Sequence, residues 1–366
     1  MASMKCAGTL CLLVAFATTW TLGQESSATR AADAARNGWQ AIREGHNQHA
    51  ATAFGTALES ERRDPSIYLG AGLAAYLLGQ PTRARAFLDQ AIQLAPAYTA
   101  ASLLLGNILY RGSDLDGAMR VYEAALVHAP DNAVLTRRLE EWRREAWLHS
   151  RFFQSQGAHF TVLFEGPADE QLARRALESL EAAYWRVGTV LYTFPEQIIT
   201  VVLYTQEQFR DITRSPAWAA AVYDGQIRVP VGGALERADE LDRVLAHEFT
   251  HALVRSIAPR GVPSWLNEGL AVVFEPNGRD WATEQLTKMS VRVPPSRLSA
   301  GFDGFNSSEA QAAYAQSAAA VDRLIELAGT AAVVGLLQDI AQGSEFAAAF
   351  AQRVLMSYES FVSSLP

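Results

Sequence analysis

Small and apolar residues recur between residues 32 and 130 with a period of 34, far longer than a helical turn. Gly38, Gly72 and Gly106 share one register, Ala50, Ala84 and Ala118 a second, and Ala57, Ala91 and Ala125 a third. Gly45 and Gly79 occupy the same place in successive units, with Gly112-Ser113 near it in the third. Pro96 and Pro130 close two units, and Arg62 stands at the matching place in the first. Small residues suit the crossing of two helices, glycine the turn between them, and proline the stop. The pattern predicts three helical hairpins over 32–130, with the polar stretch 131–150 as a helix that caps the stack.

From about residue 151 the long period disappears and strands begin. "AHFTVLF" (158–164) alternates, and "QIITVVLYT" (197–205) is a nearly continuous run of β-branched and aromatic residues. The segment between them carries a helical pattern opened by Asp169. "AVYDGQIRVPV" (221–231) reads as an Asp-Gly turn and a short strand, in which Pro230 calls for a sheet edge. A helix follows from Ala238 to Ile257, then a break at "APRGVP", then a second helix in "SWLNEGLAVVFE" with Ser264 as its cap. Further helices are expected at 312–326 and, as a pair, in the C-terminal stretch. The whole reads as an all-α repeat region (32–130), a capping helix or linker (131–150) and an α+β domain (151–366).

Composition narrows the class without naming it. The chain has 366 residues, 49% hydrophobic and 19% charged, a globular profile with room for two domains. Its formal net charge of −8 speaks against nucleic acid as a partner. Lys5 followed by an apolar run to about Leu22 reads as a secretory leader over 1–23, which places the mature protein outside the cell or in the periplasm with no stable membrane span. Cys6 and Cys11 both fall in that leader, so neither disulfides nor thiol chemistry are expected afterwards.

The chemistry concentrates in "HEFTHALVRSIAPRGVPSWLNEG" (247–269). His247 and His251 stand four apart on a helix, so both imidazoles can face one ion. Glu248 is offset by about 100° and is free to take a proton from a water on the metal. Antiparallel packing of the next helix would bring Glu268 back as a third ligand. Two His, one Glu and an open position make a catalytic rather than a closed structural zinc site. Tyr314, on the helix expected at 312–326, is the candidate donor to the oxyanion, with core packing the other role open to it. Tyr223 is a second candidate. His46, His49, His128, His149 and His159 lie outside any ligand pattern and read as incidental.

The 34-residue units resemble tetratricopeptide repeats. "HEFTH", followed after sixteen intervening residues by Glu268 in "WLNEGLA", resembles the gluzincin metallopeptidases, most closely the peptidase-MA-like proteins that join such a domain to tetratricopeptide repeats. The resemblance spans roughly 158–365 and is specific around 221–275. It implies that His247, His251 and Glu268 bind one Zn²⁺ and that Glu248 is the general base. It also implies that "YDGQIRVPV" is the edge strand beside the cleft, where Tyr223, Gly225, Ile227 and Val229 would meet an extended peptide. The Gly-Ala-Met-Glu-Asn segment of related aminopeptidases is missing, which favours internal cleavage over N-terminal trimming. Thermolysin-like enzymes place an Asp four residues after the third ligand, whereas this chain has Val272. Glu275 and Asp242 both stay open as the residue that orients a histidine.

The expected function is therefore an exported zinc peptidase whose repeats recruit a protein partner or substrate. A binding scaffold with a retained zinc site is the alternative, and a hydrolase acting on a non-peptide amide is a third reading.

Overall fold

The structure is a computed structural model that describes residues 10–213, 221–231, 238–289, 291–302 and 304–365. Lys5 and Cys6 of the expected leader lie outside the described residues. The helices of the repeat region are α1 (Leu10–Arg43), α2 (Asn47–Ser60), α3 (Pro65–Leu77), α4 (Pro81–Leu94), α5 (Thr99–Arg111) and α6 (Leu115–His128), followed by α7 (Ala133–His149). Packing divides the chain into two compact units, residues 1–106 with 124–131 and residues 107–123 with 132–366. The division falls inside the third 34-residue repeat.

In the first unit the period has a direct physical cause. Phe54 and Leu88, themselves 34 apart, are fully buried, and each presses where a glycine leaves room. A Cβ on Gly38 would lie 2.8 Å from the Phe54 ring, and one on Gly72 would lie 2.8 Å from Leu88. Ala50, Ala57, Ala84 and Ala91 are each 0% exposed, as residues at a helix crossing must be. The turns are left-handed at Gly45 (φ 78°) and Gly79 (φ 70°), and in the third repeat Ser113 takes that conformation (φ 65°). Asp64 caps α3 by accepting from the Ser66 amide, with Pro65 at the first helical position.

The second unit is a mixed sheet with helices on both faces. Its strands are β1 (Phe153–Gln156), β2 (Phe160–Phe164), β3 (Ile199–Tyr204), β4 (Val222–Tyr223) and β5 (Ile227–Pro230), in the order β1-β2-β3-β5-β4. β2, β3 and β5 are mutually parallel, while β1 and β4 flank them antiparallel. The helices are α8 (Glu170–Leu191), α9 (Gln206–Thr213), α10 (Ala238–Ile257), α11 (Ser264–Val273), α12 (Gly278–Lys288), α13 (Pro295–Leu298), α14 (Ser307–Ala341), α15 (Phe346–Val354) and α16 (Tyr358–Ser363). α8 and α10 cover one sheet face, and the main core continues from there through α11 and α14. On the other face Val202, Tyr204 and Phe209 pack with Leu148 and Phe152.

α14 is long and apolar enough to cross a membrane by length and composition. It kinks at Gly329 (φ 78°, ψ 164°), and Ala313, Ala315, Val321 and Leu336 along it are fully buried in the core.

Three expectations change. β5 is internal to the sheet, and the edge passes to β4; Pro230 is tolerated because β4 pairs only with Ile227 and Arg228 and ends before it. Ser264 is the first residue of α11, and the cap position is held by Pro263, whose extended backbone (φ −59°, ψ 145°) makes no side-chain capping bond. The C-terminal pair of helices is three pieces, the end of α14 with α15 and α16, because Gly343 (φ 92°) and Leu355 (φ 58°) each turn the chain.

Candidate metal centre

α10 lies on the sheet through Leu245, Phe249 and Leu253, all fully buried, which turns His247 and His251 the other way. α11 then returns against α14. A Cβ on Gly269 would lie 2.3 Å from the Ser317 carbonyl, so only glycine lets α11 settle at this depth and hold the neighbouring Glu268 in place. The result is convergence. Glu268 Oε2 lies 3.5 Å from His247 Nε2 and 3.3 Å from His251 Nε2, and the two nitrogens are 3.1 Å apart. All three ligand atoms fall within 4.8 Å of one another.

The structure settles the orienting residue as Glu275. Its Oε1 is 2.6 Å from His247 Nδ1, and its Oε2 accepts from Arg243 Nη1 at 3.1 Å. A carboxylate there can only accept, so Nδ1 carries hydrogen and Nε2 is left to hold a proton or a metal ion. Asp242 instead pairs with Arg175.

The electrostatics ask for positive charge at the centre. Burial alone would lower the His247 imidazole, but hydrogen bonds with Glu268 and Glu275 override it and push it up to about 10. His251 is raised against the same burial by Glu268. Burial would raise Glu268, yet the two histidines hold it well below the usual carboxylate range. Glu248, 6% exposed, is pushed up by burial and has no side-chain hydrogen bond among the described residues. Two imidazole nitrogens and a carboxylate oxygen at this spacing fit Zn²⁺ as three ligands of an open tetrahedral site.

Two hollows meet at this centre, sharing Ala221, His247, Glu248 and Tyr314 in their walls. One, of about 300 Å³, runs past Val244, Val272 and Trp281; the other, of about 510 Å³, runs past Tyr223, Arg255 and Asn267. The Tyr314 ring lies edge-on to His247 at 6.0 Å and packs on Phe302 at 5.3 Å. Tyr223 lines the larger hollow, and burial raises its hydroxyl. The other expected substrate contacts lie elsewhere: Ile227 and Val229 are in the core, and a Cβ on Gly225 would stand 2.0 Å from the Arg111 carbonyl. In a continuous strand these four alternate positions would share one face, but the turn after Tyr223 splits them between β4 and β5, and β5 lies inside the sheet with Ile227 and Val229 turned into the core.

Sequence reasoning missed a second buried polar cluster in this unit. Arg228, 1% exposed on β5, donates to Tyr204 at 2.8 Å, Tyr110 at 3.2 Å and Asp224 at 3.1 Å, and pairs with buried Glu145 at 2.8 Å. Tyr110 in turn donates to Glu145 at 2.8 Å. Tyr204 Oη, already accepting from Arg228, lies 2.6 Å from His149 Nε2, so it donates there and His149 stays neutral. The one legible signal was an arginine inside a short apolar strand.

Residues 187–358 match the model of the Peptidase MA superfamily. Residues 35–99 and 75–137 match two tetratricopeptide repeat models. Among solved structures, the first TPR of Spaghetti (RPAP3) bound to the HSP90 peptide SRMEEVD is similar at 19% identity and a TM-score of 0.31, covering 33% of this chain and 98% of that one. The NMR structure of the first TPR domain of the human RPAP3 protein gives 19% and 0.30, over 32% of this chain and 93% of that one. No curated protein matches the chain. The protein therefore carries a Peptidase MA superfamily domain preceded by tetratricopeptide repeats.

Proposed function

We propose that the protein is an exported zinc metallopeptidase that hydrolyses peptide bonds. The observation that carries this reading is the convergence of His247, His251 and Glu268 beside a buried carboxylate, Glu248, that no side-chain hydrogen bond among the described residues restrains. A bound zinc ion supplies Lewis acidity that makes water a usable nucleophile near neutral pH. Glu248 would accept a proton from the attacking water and hand it to the departing amine, a role suited to a carboxyl raised by burial. Glu275 fixes the ring of His247, and so keeps the ligand set in one geometry. Tyr314, on the wall shared by both hollows, donates its hydroxyl to the oxyanion. Tyr223, on the edge strand β4, contacts the peptide backbone.

The repeats recruit a protein partner or substrate, as stacked helical hairpins with a continuous surface are suited to do. Export rests on Lys5 and the apolar run that follows it.

The test is cleavage of casein by zinc-supplemented protein, with Glu248→Gln and o-phenanthroline-treated samples in parallel. Wild-type cleavage absent from both controls supports the reading. Equal cleavage in all three would assign the activity to a contaminant and remove it.

A further inference from the structure

The larger hollow contains a cation that the peptidase chemistry does not use. Arg255 follows His251 by four residues, as His251 follows His247, so the three side chains stack on one face of α10. Four residues of helix advance about 6 Å, roughly the span of two residues of extended peptide. The Arg255 guanidinium carbon sits 5.6 Å from the Tyr223 ring centroid, held between α10 and the edge strand β4. That ring is its side-chain contact; no carboxylate of the described residues pairs with it. The nearest acid along the chain from Tyr223, Asp224, is engaged by Arg228 at 3.1 Å. Glu268, in the same wall, is engaged by the two histidines. Arg260 adds a second guanidinium-bearing residue to the lining.

In a chain of net charge −8, Arg255 is a partly buried arginine one helical turn from the ligands, and among the described residues no carboxylate pairs with it. A planar guanidinium offers paired donors that match a carboxylate, and such bonds are about twice as strong as neutral ones. We infer that the hollow beside His251 is a subsite for a substrate carboxylate, bound by Arg255 with Arg260 beside it. The carboxylate is either an acidic side chain next to the bond that is cut or the free end of a peptide. The smaller hollow is lined by Val244, Val272 and Trp281 together with Arg243, whose guanidinium is already taken by Glu275. The inference rests on the peptidase reading for its meaning but not for its test.

The test uses the full chain carrying Glu248→Gln, zinc-supplemented, and Ala/Ser decapeptides labelled with a neutral BODIPY dye at a blocked N-terminus, with one central Glu or Gln, each with a free or amidated C-terminus. Fluorescence polarisation is expected to give a Kd at least 10-fold lower for a carboxylate-bearing peptide than for the uncharged one. The Glu pair identifies a side-chain site, and the free-acid pair a terminal one. Adding Arg255→Gln is expected to bring the ratio close to one, while Arg255→Lys keeps part of it; circular dichroism checks that each variant is folded. Equal affinity for all four peptides, or no binding of any, overturns the inference. If wild type cuts casein yet shows no carboxylate preference, the inference falls and the peptidase reading stands. If the preference is found but nothing is cut, the anion site stands and the peptidase reading falls.

Discussion

Two buried polar clusters in the same α/β unit have opposite designs. Around Arg228 every charge meets a complement within the chain: Glu145 and Asp224 face the guanidinium, and Tyr110 and Tyr204 pass hydrogen bonds outward to Glu145 and His149. Around His247 two imidazoles and the carboxylates of Glu248, Glu268 and Glu275 gather, and among the described residues no fixed cation pairs with Glu248 or Glu268; Arg243 meets the outer side of Glu275. The first cluster is closed and needs nothing more. The second is balanced only when protons or a metal ion enter it, which is why the His247 imidazole is driven up to about 10 when it must supply the charge itself. Burial of polar groups alone therefore does not mark a functional site. A charge deficit that the fold leaves open does.

The largest effects separate the two clusters by what each loses. His247→Ala is expected to abolish zinc retention and all cleavage, whereas Glu248→Gln keeps the metal and lowers kcat by about 10²–10⁴-fold; metal analysis and a peptide assay on the same samples check this. Arg228→Met strands Glu145 in the core and is expected to cost about 3–5 kcal/mol in urea unfolding. Zinc retention by its folded fraction should be unchanged. Adding Glu145→Met should restore most of the loss, because a closed pair exchanged for apolar side chains is close to neutral. A double variant no more stable than the single one would show that the cluster does more than satisfy itself.

Smaller effects sharpen the contrast. Glu275→Gln should weaken zinc binding by about 10–100-fold without removing it, as competition with a chelator dye would show. His149 supplies a pH signature for the closed cluster. Burial first, then the Arg228 charge, pushes its imidazole down to about 4 from the ordinary 6.5. Between those values the unfolded chain binds the proton and the folded one does not, so stability is full above about 6.5 and declines as pH falls toward 4. Thermal melts of wild type and His149→Gln across that window should converge at the acid end. Parallel curves would remove His149 from the account.

The legibility of these features in the sequence follows from how local each one is. The 34-residue register was readable because Phe54 and Leu88 press the same small-residue positions in each hairpin, so geometry repeats as composition. His247, Glu248 and His251 were readable because one helix sets their spacing, and Glu268 because one short break returns the chain. The orienting Glu275 was not, since Asp242 is much nearer to His247 in sequence and only the packing of α11 against α10 decides between them. β1 and α12 escaped notice: "FQSQ" is too short and polar to signal a strand, and Pro276-Asn277-Gly278, with Asn277 left-handed, signals a turn rather than the helix that starts there. The Arg228 cluster was least legible, because its members come from residues 110, 145, 149, 204, 224 and 228 with no common spacing.

The central claim is that the His247 cluster is built around a missing cation and the Arg228 cluster is not. Zinc content per chain, measured on wild type, His247→Ala and Arg228→Met proteins purified without chelators and offered zinc, tests it directly. One zinc in wild type and in Arg228→Met, and none in His247→Ala, is the expected result. Wild type carrying no zinc, or His247→Ala retaining a full equivalent, would contradict the account.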